Sequence, residues 1–415
     1  MSEPAATTPT WPASRLVALG LLGLWLILFY PAVTAIATTP AGRGSVAIGA
    51  ILTAVLLALP PVGRGLHRAL LAPPPAAFVG GLGLLSAGIS WWMATRVLDG
   101  KVLALDSSVY LLQARALAHG ELGVPQSLPG WSARFLFEGP DGRLFGVFPP
   151  GYPLFVAPFV ALGLPLLSGP VTALLLVVAQ YALARALDED EATARGSLLL
   201  ALPSYARAMQ TADLLSHAFT ALLATTALAG ALRLVRRPSA GLGLAVGAAA
   251  GWVLSARLLD GLVLAAVLAG VVLHALWKVR TEPGPRLRLL RAIGGAVAGA
   301  LPFVGLILAQ QHAATGHWLR PTQFEFFARS DYPPTCHRLG FGRDVGCSLE
   351  HPPERASFGP DGYGLDDALR VGRERAMVLG SDLLGFSPLL LVAFGGLIAA
   401  PSAGGLAVAA WWVGL

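Results

Sequence analysis

Asp106 is the acidic side chain that opens a predicted helix in the segment LALDSSVYLLQARALAHGEL, residues 103–122. On that helix Tyr110 and Gln113 lie on the same face as Asp106, because they follow it by four and seven residues. A carboxylate that is partly shielded from water has a raised pKa and can accept a proton, whereas a position at a helix N-terminus lowers its pKa. Asp106 is therefore a candidate general base. The alternative is a structural N-cap, a role that the two serines after it could equally fill.

Arg207 and Arg257 are candidates for binding an anion such as a phosphate, since a planar guanidinium can donate two parallel hydrogen bonds. We expect both arginines near helix ends, on the same side as Asp106. Each also has a structural alternative. Arg207 could extend along a membrane helix to the lipid headgroups. Arg257 could form an ion pair with Asp260, three residues further along a helix.

His217 and Asp213 occur together in the stretch ADLLSHAF, residues 212–219. His217 could contact a substrate, or it could be a histidine of the protein core. Asp213 is the first residue of a predicted helix over residues 213–232. We expect it to cap that helix rather than to act in catalysis.

Cys336 and Cys347 are the two cysteines of the chain, and both lie in one hydrophilic stretch together with His337 and His351. Two cysteines and two histidines could suggest zinc, but their spacing matches no compact ligand pattern such as CxxC. The stretch is expected outside the cell, where disulfides persist. We therefore expect a disulfide between the two cysteines that closes a small loop.

The composition is that of a membrane protein. Of the 415 residues, 55% are hydrophobic and only 13% are charged, and the mean hydropathy is +0.66. Soluble domains have about 25% charged residues. The chain is predicted to be an all-α polytopic membrane protein with about 10–11 transmembrane helices. The formal charge of +6 does not indicate nucleic acid, because the basic residues cluster in short loops between apolar runs.

These apolar runs define the predicted spans. One of them has Gly243, Gly247 and Gly251 at every fourth residue, which gives a small-residue face that lets another helix approach closely. The predicted spans are 15–36, 46–60, 76–95, 170–187, 196–209, 213–232, 240–256, 258–278, 292–311 and 383–400.

The short basic loops predict the orientation of the chain, since such loops are retained in the cytoplasm. They place the N-terminus in the cytoplasm and the stretches 96–150 and 312–382 outside. We expect these two external stretches to carry interfacial helices. This alternation holds if the proline-rich segment 151–167 is re-entrant or interfacial, which we favour over a full span. Residues 1–400 then form one transmembrane domain, and residues 401–415 are an incomplete or membrane-embedded C-terminal segment.

Several motifs, in this order, resemble the GT-C glycosyltransferase superfamily, in particular enzymes of the aminoarabinose-transferase and protein O-mannosyltransferase type. The stretches ALPSYARAMQTADLLSHAF and GWVLSARLLDGLVLAAVLA resemble later helices and turns of these enzymes. The likeness covers roughly residues 76–310. The family pattern D-x-x-x-Y-x-x-x-A-x-x-L-x-x-G, with the Pro-Pro-x-Tyr segment after it, is matched by Asp106, Tyr110, Ala114, Leu117, Gly120, Pro149, Pro150 and Tyr152.

The resemblance implies transfer of a sugar from a polyprenyl-phosphate carrier to a lipid, glycan or protein acceptor at the external membrane face. Asp106 would be the general base, and the anomeric centre would be inverted. The localisation would be a bacterial-type inner or plasma membrane. No cofactor is indicated with certainty, although a divalent metal could take part. The residues expected to bind substrates are Tyr110, Gln113, Tyr152, Arg207, His217, Arg257 and Asp260.

Two other functions stay open. A transporter or flippase of a lipid-linked or anionic substrate would keep its charged residues near the middle of the bilayer, whereas the candidates here are expected at its outer boundary. A catalytically inactive protein with the same fold is the other alternative. Its main argument is Ser107, which stands where many members of the family have a second acid.

Overall fold

The structure is a computed structural model, and it is predominantly α-helical. The predicted spans 15–36, 46–60 and 383–400 and the segment 401–415 lie outside the residues it describes. Those residues are 65, 68–125, 135–187, 190–202, 204–330, 336, 338, 340–347, 356–372 and 374.

Eleven helices are labelled here within the described residues, together with one short β-hairpin. The hairpin pairs β1 (Leu136–Glu138) with β2 (Leu144–Gly146) in antiparallel fashion. The helices are α1 (Pro75–Trp92), α2 (Leu105–Ala118), α3 (Gly151–Ala161), α4 (Ser168–Ala186), α5 (Glu191–Ala201), α6 (Tyr205–Ala212), α7 (Ser216–Arg236), α8 (Ala240–Ala256), α9 (Leu258–Lys278), α10 (Pro283–Thr315) and α11 (Thr322–Arg329).

Five helical segments of the described chain are long and apolar enough to cross a membrane. They correspond to five of the predicted spans. The apolar helix α8 has 17 residues and coincides with the predicted span 240–256. The helix α3 has only 11 residues, fewer than the roughly 20 that a crossing needs. The five segments are Pro75–Val97, Pro165–Ala186, Ser216–Arg236, Leu258–Lys278 and Pro283–Thr315.

The predicted span 196–209 does not form one helix. The chain instead forms α5 and α6, which end and begin on either side of residues 202–204. Pro203 lies in this interval, and a proline has no backbone N–H to donate inside a helix. The sequence pattern predicts one continuous helix because the apolar residues continue through the proline.

The chain divides into two compact units. One comprises Pro73–Ala186 and Tyr205–Gly364, and it contains all the candidate site residues. The other comprises Met1–Ala72, Leu187–Ser204 and Leu365–Leu415.

Within the larger unit, α8 and α10 pack closely along the predicted small-residue face, which confirms that prediction. A methyl group added at any of its three glycines would collide with α10, so only glycine allows this approach. The matching positions increase in both helices together, so α8 and α10 run parallel. Gly243 faces Ala292, Gly247 faces Ala296, and Gly251 faces Ala300.

The basic residues gather at one end of this helix set. Because α7, α8, α9 and α10 follow one another through short turns, their directions alternate. Arg233 near the end of α7 donates a hydrogen bond to the carbonyl oxygen of Ala182 near the end of α4, at 3.3 Å. We call this the basic end. The basic residues of α7, α9, α10 and their turns at this end are Arg233, Arg236, Arg237, Lys278, Arg280, Arg286, Arg288 and Arg291.

A small aromatic cluster lies at the opposite end, where α10 finishes. The hairpin contributes Phe137 and Phe145, the segment after it contributes Val147, and α10 and α11 contribute Ala314 and Phe326. All five side chains are buried. The hairpin, the end of α10 and α11 therefore form one packed body beside the start of α3.

The second polar stretch contains a disulfide. Cys336 and Cys347, eleven residues apart, are joined through their sulfurs. Residues 365–372 are helical, and Leu365 and Leu369 are both exposed on this helix.

Candidate functional site

Asp213 holds the chain where it enters α2. Its two carboxylate oxygens accept hydrogen bonds from the backbone N–H groups of Leu103, at 2.6 Å, and Ala104, at 3.0 Å. The side chain is buried. The prediction that Asp213 caps the next helix is wrong, because α7 begins at Ser216 and no side chain caps its start. Its buried carboxylate instead accepts from two backbone N–H groups that are distant in sequence.

Asp106 lies in the first turn of α2 and is half-buried. The N-cap of α2 is Ala104, which provides no side-chain hydrogen bond to the helix. The alternative prediction, that Asp106 is the N-cap, is therefore wrong. A carboxylate in the first turn is stabilised by the positive end of the helix dipole, which favours its ionised form.

Tyr110 is the buried centre of the candidate site. Its hydroxyl group lies 3.0 Å from the hydroxyl of Ser216, at the start of α7, and either group can be the donor. Burial raises the pKa of Tyr110, and the negative charge of Asp106 adds to this rise. The hydrogen bond with Ser216 and the positive charge of Arg257 act in the opposite direction. At neutral pH Tyr110 is thus an uncharged hydroxyl, placed within the electrostatic influence of both Asp106 and Arg257.

Arg257 lies between the end of α8 and the start of α9 and joins two other candidates. Its Nη1 atom donates a hydrogen bond to Nε2 of His217 at 3.1 Å. Its Nε atom forms an ion pair with Asp260, as the sequence alternative predicted. The side chains of Arg257 and Asp260 are 33% and 45% exposed. A ligand from outside the protein can therefore reach this pair.

A close approach between α3 and α8 places Arg257 beside the Pro-Pro-Gly-Tyr segment. A side chain at Gly151 would collide with Ser255, so this position requires glycine. The indole N–H of Trp252 donates to the carbonyl oxygen of Gly151 at 2.7 Å. These contacts fix the start of α3 against the last turn of α8.

Tyr152 is buried in the aromatic core next to Tyr110. The two rings meet edge to face, with their centres 5.1 Å apart. Phe219 of α7 also packs against Tyr152, with ring centres 5.6 Å apart. The structure therefore brings Tyr152 to the site through its contact with Tyr110.

Gln113 is also buried and acts on the backbone before α3. Its side-chain amide donates to the carbonyl oxygen of Phe148 at 2.9 Å. Gln310 of α10 donates to the same oxygen at 3.1 Å. The ring of Phe148 lies 4.7 Å from the ring of Tyr110, measured between centres. The sequence did not indicate Gln310, Phe148 or Ser216, because each acts on a residue far along the chain.

Arg207 lies apart from this cluster. Its guanidinium donates to the side chains of Gln180, at 3.0 Å, and Ser86, at 3.1 Å, and to the carbonyl oxygen of Ala173, at 3.0 Å. These contacts tie α6 to α1 and α4. None of the three partners belongs to the group around Tyr110.

The acidic residues of the site do not form a cluster of metal ligands with other described side chains. Nowhere in the part of the chain that the structure describes do three or more His, Cys, Asp or Glu side chains group together as ligands of one ion. Both oxygens of Asp213 accept backbone hydrogen bonds, and Asp260 pairs with Arg257. The described side chains therefore offer no ready-made group of three ligands for a metal ion.

Comparison with known proteins adds no assignment. A scan against protein-family models, a search of curated proteins and a search of solved structures each returned no match. Function is therefore inferred from the side chains that meet around Tyr110.

Proposed function

We propose that the protein is a membrane glycosyltransferase that moves a sugar from a polyprenyl-phosphate carrier to the hydroxyl group of an acceptor. The observation that carries this proposal is a chain of contacts that leads from a carboxylate to a guanidinium. Tyr110 follows Asp106 by one turn of α2 and its hydroxyl meets that of Ser216 at 3.0 Å, and the next residue, His217, accepts a hydrogen bond from Arg257 at 3.1 Å. This transfer needs one base for the acceptor and one cation for the phosphate that leaves.

Asp106 supplies the base. The acceptor hydroxyl gives its proton to the carboxylate while its oxygen attacks the anomeric carbon of the sugar. The bond between that carbon and the phosphate oxygen breaks, and its electron pair leaves with the carrier phosphate. Attack opposite the leaving group inverts the anomeric centre. General-base catalysis of this kind contributes about 10²–10⁴-fold to the rate.

Arg257 supplies the cation. A guanidinium suits phosphate because its N–H groups form a planar fork. Nη1 already donates to His217, and Nε pairs with Asp260. The arriving phosphate binds the exposed side of the same guanidinium and competes with Asp260 for it. The buried hydroxyl groups of Tyr110 and Ser216 hydrogen-bond each other and thereby join α2 to the start of α7, which carries His217.

The distribution of charge supports an external site. Arg257 lies between the end of α8 and the start of α9, whereas the basic end lies at the opposite end of these two helices. Basic loops stay in the cytoplasm. The basic end then faces the cytoplasm, and Asp106 faces the outside of a bacterial-type inner or plasma membrane. A carrier rooted in the lipid and an acceptor from the aqueous side can meet at this boundary.

A transfer assay tests the proposal. Purified protein in lipid vesicles is mixed with radiolabelled polyprenyl-phosphate mannose, glucose or arabinose, and the label released from the carrier into an acceptor fraction of cell-envelope lipid, glycan or protein is measured. We expect label in that fraction with at least one donor and its loss in the Asp106→Asn variant. Absence of both transfer and carrier binding with every donor would contradict the proposal.

A transporter or flippase is the second candidate, and Arg207 is the observation that favours it. Ionisable side chains inside a membrane domain often mark a transport pathway, and Arg207 is enclosed between α1 and α4. Vesicles with the purified protein and a fluorescent polyprenyl phosphate in one leaflet distinguish the two functions. Movement of the intact lipid between leaflets, without cleavage, would favour transport.

A further inference from the structure

Three large apolar side chains are exposed just after the end of the span Pro283–Thr315. Trp318 is 57% exposed, Leu319 is 84% exposed and Phe324 is 60% exposed. We call these three residues the apolar patch. Soluble surfaces seldom expose several large apolar side chains together, and such groups mark sites of interaction.

The patch continues the outward face of α10. Val297 and Leu301 are exposed on that helix, and His312 follows Leu301 by eleven residues, which is about three full turns. His312 is therefore on the same face. The ring of Trp318 packs against the ring of His312, with centres 4.3 Å apart. An exposed apolar face along the helix thus leads directly to Trp318.

The types of residue match the boundary of a bilayer. Tryptophan is enriched at the headgroup level because its ring is apolar and its N–H is polar. Arg320 lies next to Leu319, and its side chain is 44% exposed while its Nε pairs with Glu325 at 2.7 Å. An arginine at this depth can also attract lipid phosphates. We propose that the apolar patch inserts into the bilayer interface and anchors α11 to the membrane surface.

Hydrogen bonds and an ion pair connect the anchor to the rest of the larger unit. The hydroxyl of Thr322 donates to the carbonyl oxygen of Val147 at 2.8 Å. Arg329 pairs with the buried Glu325 and donates to the carbonyl oxygen of Glu138 at 2.8 Å. Val147 directly precedes Phe148, whose ring contacts Tyr110. The depth of the anchor therefore sets the height of Tyr110 above the membrane, whatever reaction takes place there.

Nitroxide scanning tests the anchor independently of any enzymatic activity. Leu319→Cys, Phe324→Cys and the control Ser357→Cys are made one at a time in protein that carries Cys336→Ser and Cys347→Ser. Each is labelled with a nitroxide and reconstituted in phosphatidylcholine vesicles. Collision rates with oxygen, which concentrates in lipid, and with a water-soluble nickel complex are then measured. We expect the ratio of oxygen to nickel collisions to be several-fold higher at 319 and 324 than at 357.

A second measurement keeps the native cysteines. Brominated phosphatidylcholine should quench the fluorescence of the unmodified protein more than that of the Trp318→Phe variant, because Trp318 would be among the quenched residues. Nickel-dominated collisions at both 319 and 324 would overturn the proposal. Low collision rates with both reagents at these positions would also overturn it, since protein rather than lipid would then cover the patch. Equal quenching with and without Trp318 would count against it in the native chain.

Discussion

Arg257 donates a hydrogen bond to His217 at 3.1 Å, and this contact joins the end of α8 to the start of α7. Because an arginine in a protein has no acceptor, the Nε2 atom of His217 must accept and therefore carries no proton in this arrangement. The guanidinium is thereby turned toward the same end of the helices as Asp106. The position of Arg257 is the reason why we assign phosphate binding to Arg257 and a structural role to Arg207.

Replacement of Arg257 by lysine should weaken carrier binding. The charge is kept but the fork is lost, and a hydrogen bond to a charged group is worth about 1.5–3 kcal/mol, or roughly tenfold or more in affinity. Arg207→Lys is the comparison, because its guanidinium contacts three protein groups. We expect that variant to lower the melting temperature by several degrees. Binding of polyprenyl phosphate and thermal unfolding are measured for both. A loss of affinity without a loss of stability in Arg207→Lys would place Arg207 in the donor site, as the sequence predicted.

Asp106→Asn should fold normally and lose transfer by about 10²–10⁴-fold. The amide keeps the shape of the side chain but cannot accept the proton of the acceptor. Stability should change little, because Ala104 and not Asp106 is the N-cap of α2. Asp99→Asn is a matched control, since Asp99 is exposed and pairs only with a surface lysine, Lys101, in the described contacts. Full turnover in Asp106→Asn would remove the proposed base.

Asp213→Asn should lower both stability and transfer. An amide can accept through one atom only, and its NH₂ group would face one of the backbone N–H groups of Leu103 and Ala104. A buried group left without its partner costs about 1–3 kcal/mol. Asp190→Asn is the control, because Asp190 caps α5 and asparagine is an equally good cap. Equal melting temperatures for the two variants would show that Asp213 is not needed to hold α2.

Cys336 and Cys347 should be found as a disulfide in protein purified without reductant. Closing a loop of this length is worth roughly 3 kcal/mol in the chain-entropy model, so the variant with both residues replaced by serine should unfold at a lower temperature. Mass spectrometry of unreduced peptides checks the bond directly. Two free thiols in such protein would refute it.

The orientation can be tested with one cysteine on each side. In protein that lacks the native cysteines, Ser357→Cys should react with an impermeant maleimide in intact cells. Thr281→Cys, in the exposed turn between α9 and α10 at the basic end, should be protected until the cells are opened. The reverse pattern would invert the proposed topology.

The helices that the sequence predicted best are those with clear ends. Ser239 starts α8 by accepting from the backbone N–H of Leu242, and Arg257 separates α8 from α9, so the predicted spans 240–256 and 258–278 agree with the observed helices. Local signals of this kind are visible in sequence. The break between α5 and α6 was missed because a single proline does not always end a helix.

The candidate site was only partly predictable. The pair of Arg257 with Asp260 depends on a spacing of three residues, which is local. The contact of Asp213 with Leu103 joins residues 110 positions apart, and no sequence pattern around either residue predicts it. The same holds for Gln310 and Phe148, 162 positions apart. Residue types suggested candidate site residues, but long-range packing decided which of them meet.

The glycine face of α8 also fixes the angular phase of Arg257. Three glycines of α8, one at every fourth residue, pack against alanines of α10. Rotation of α8 about its axis would therefore cause a collision. One residue inserted between Gly251 and Arg257 would leave this lock in place and swing the guanidinium through about 100°. The number of residues between Gly251 and Arg257 therefore determines the direction in which the guanidinium points.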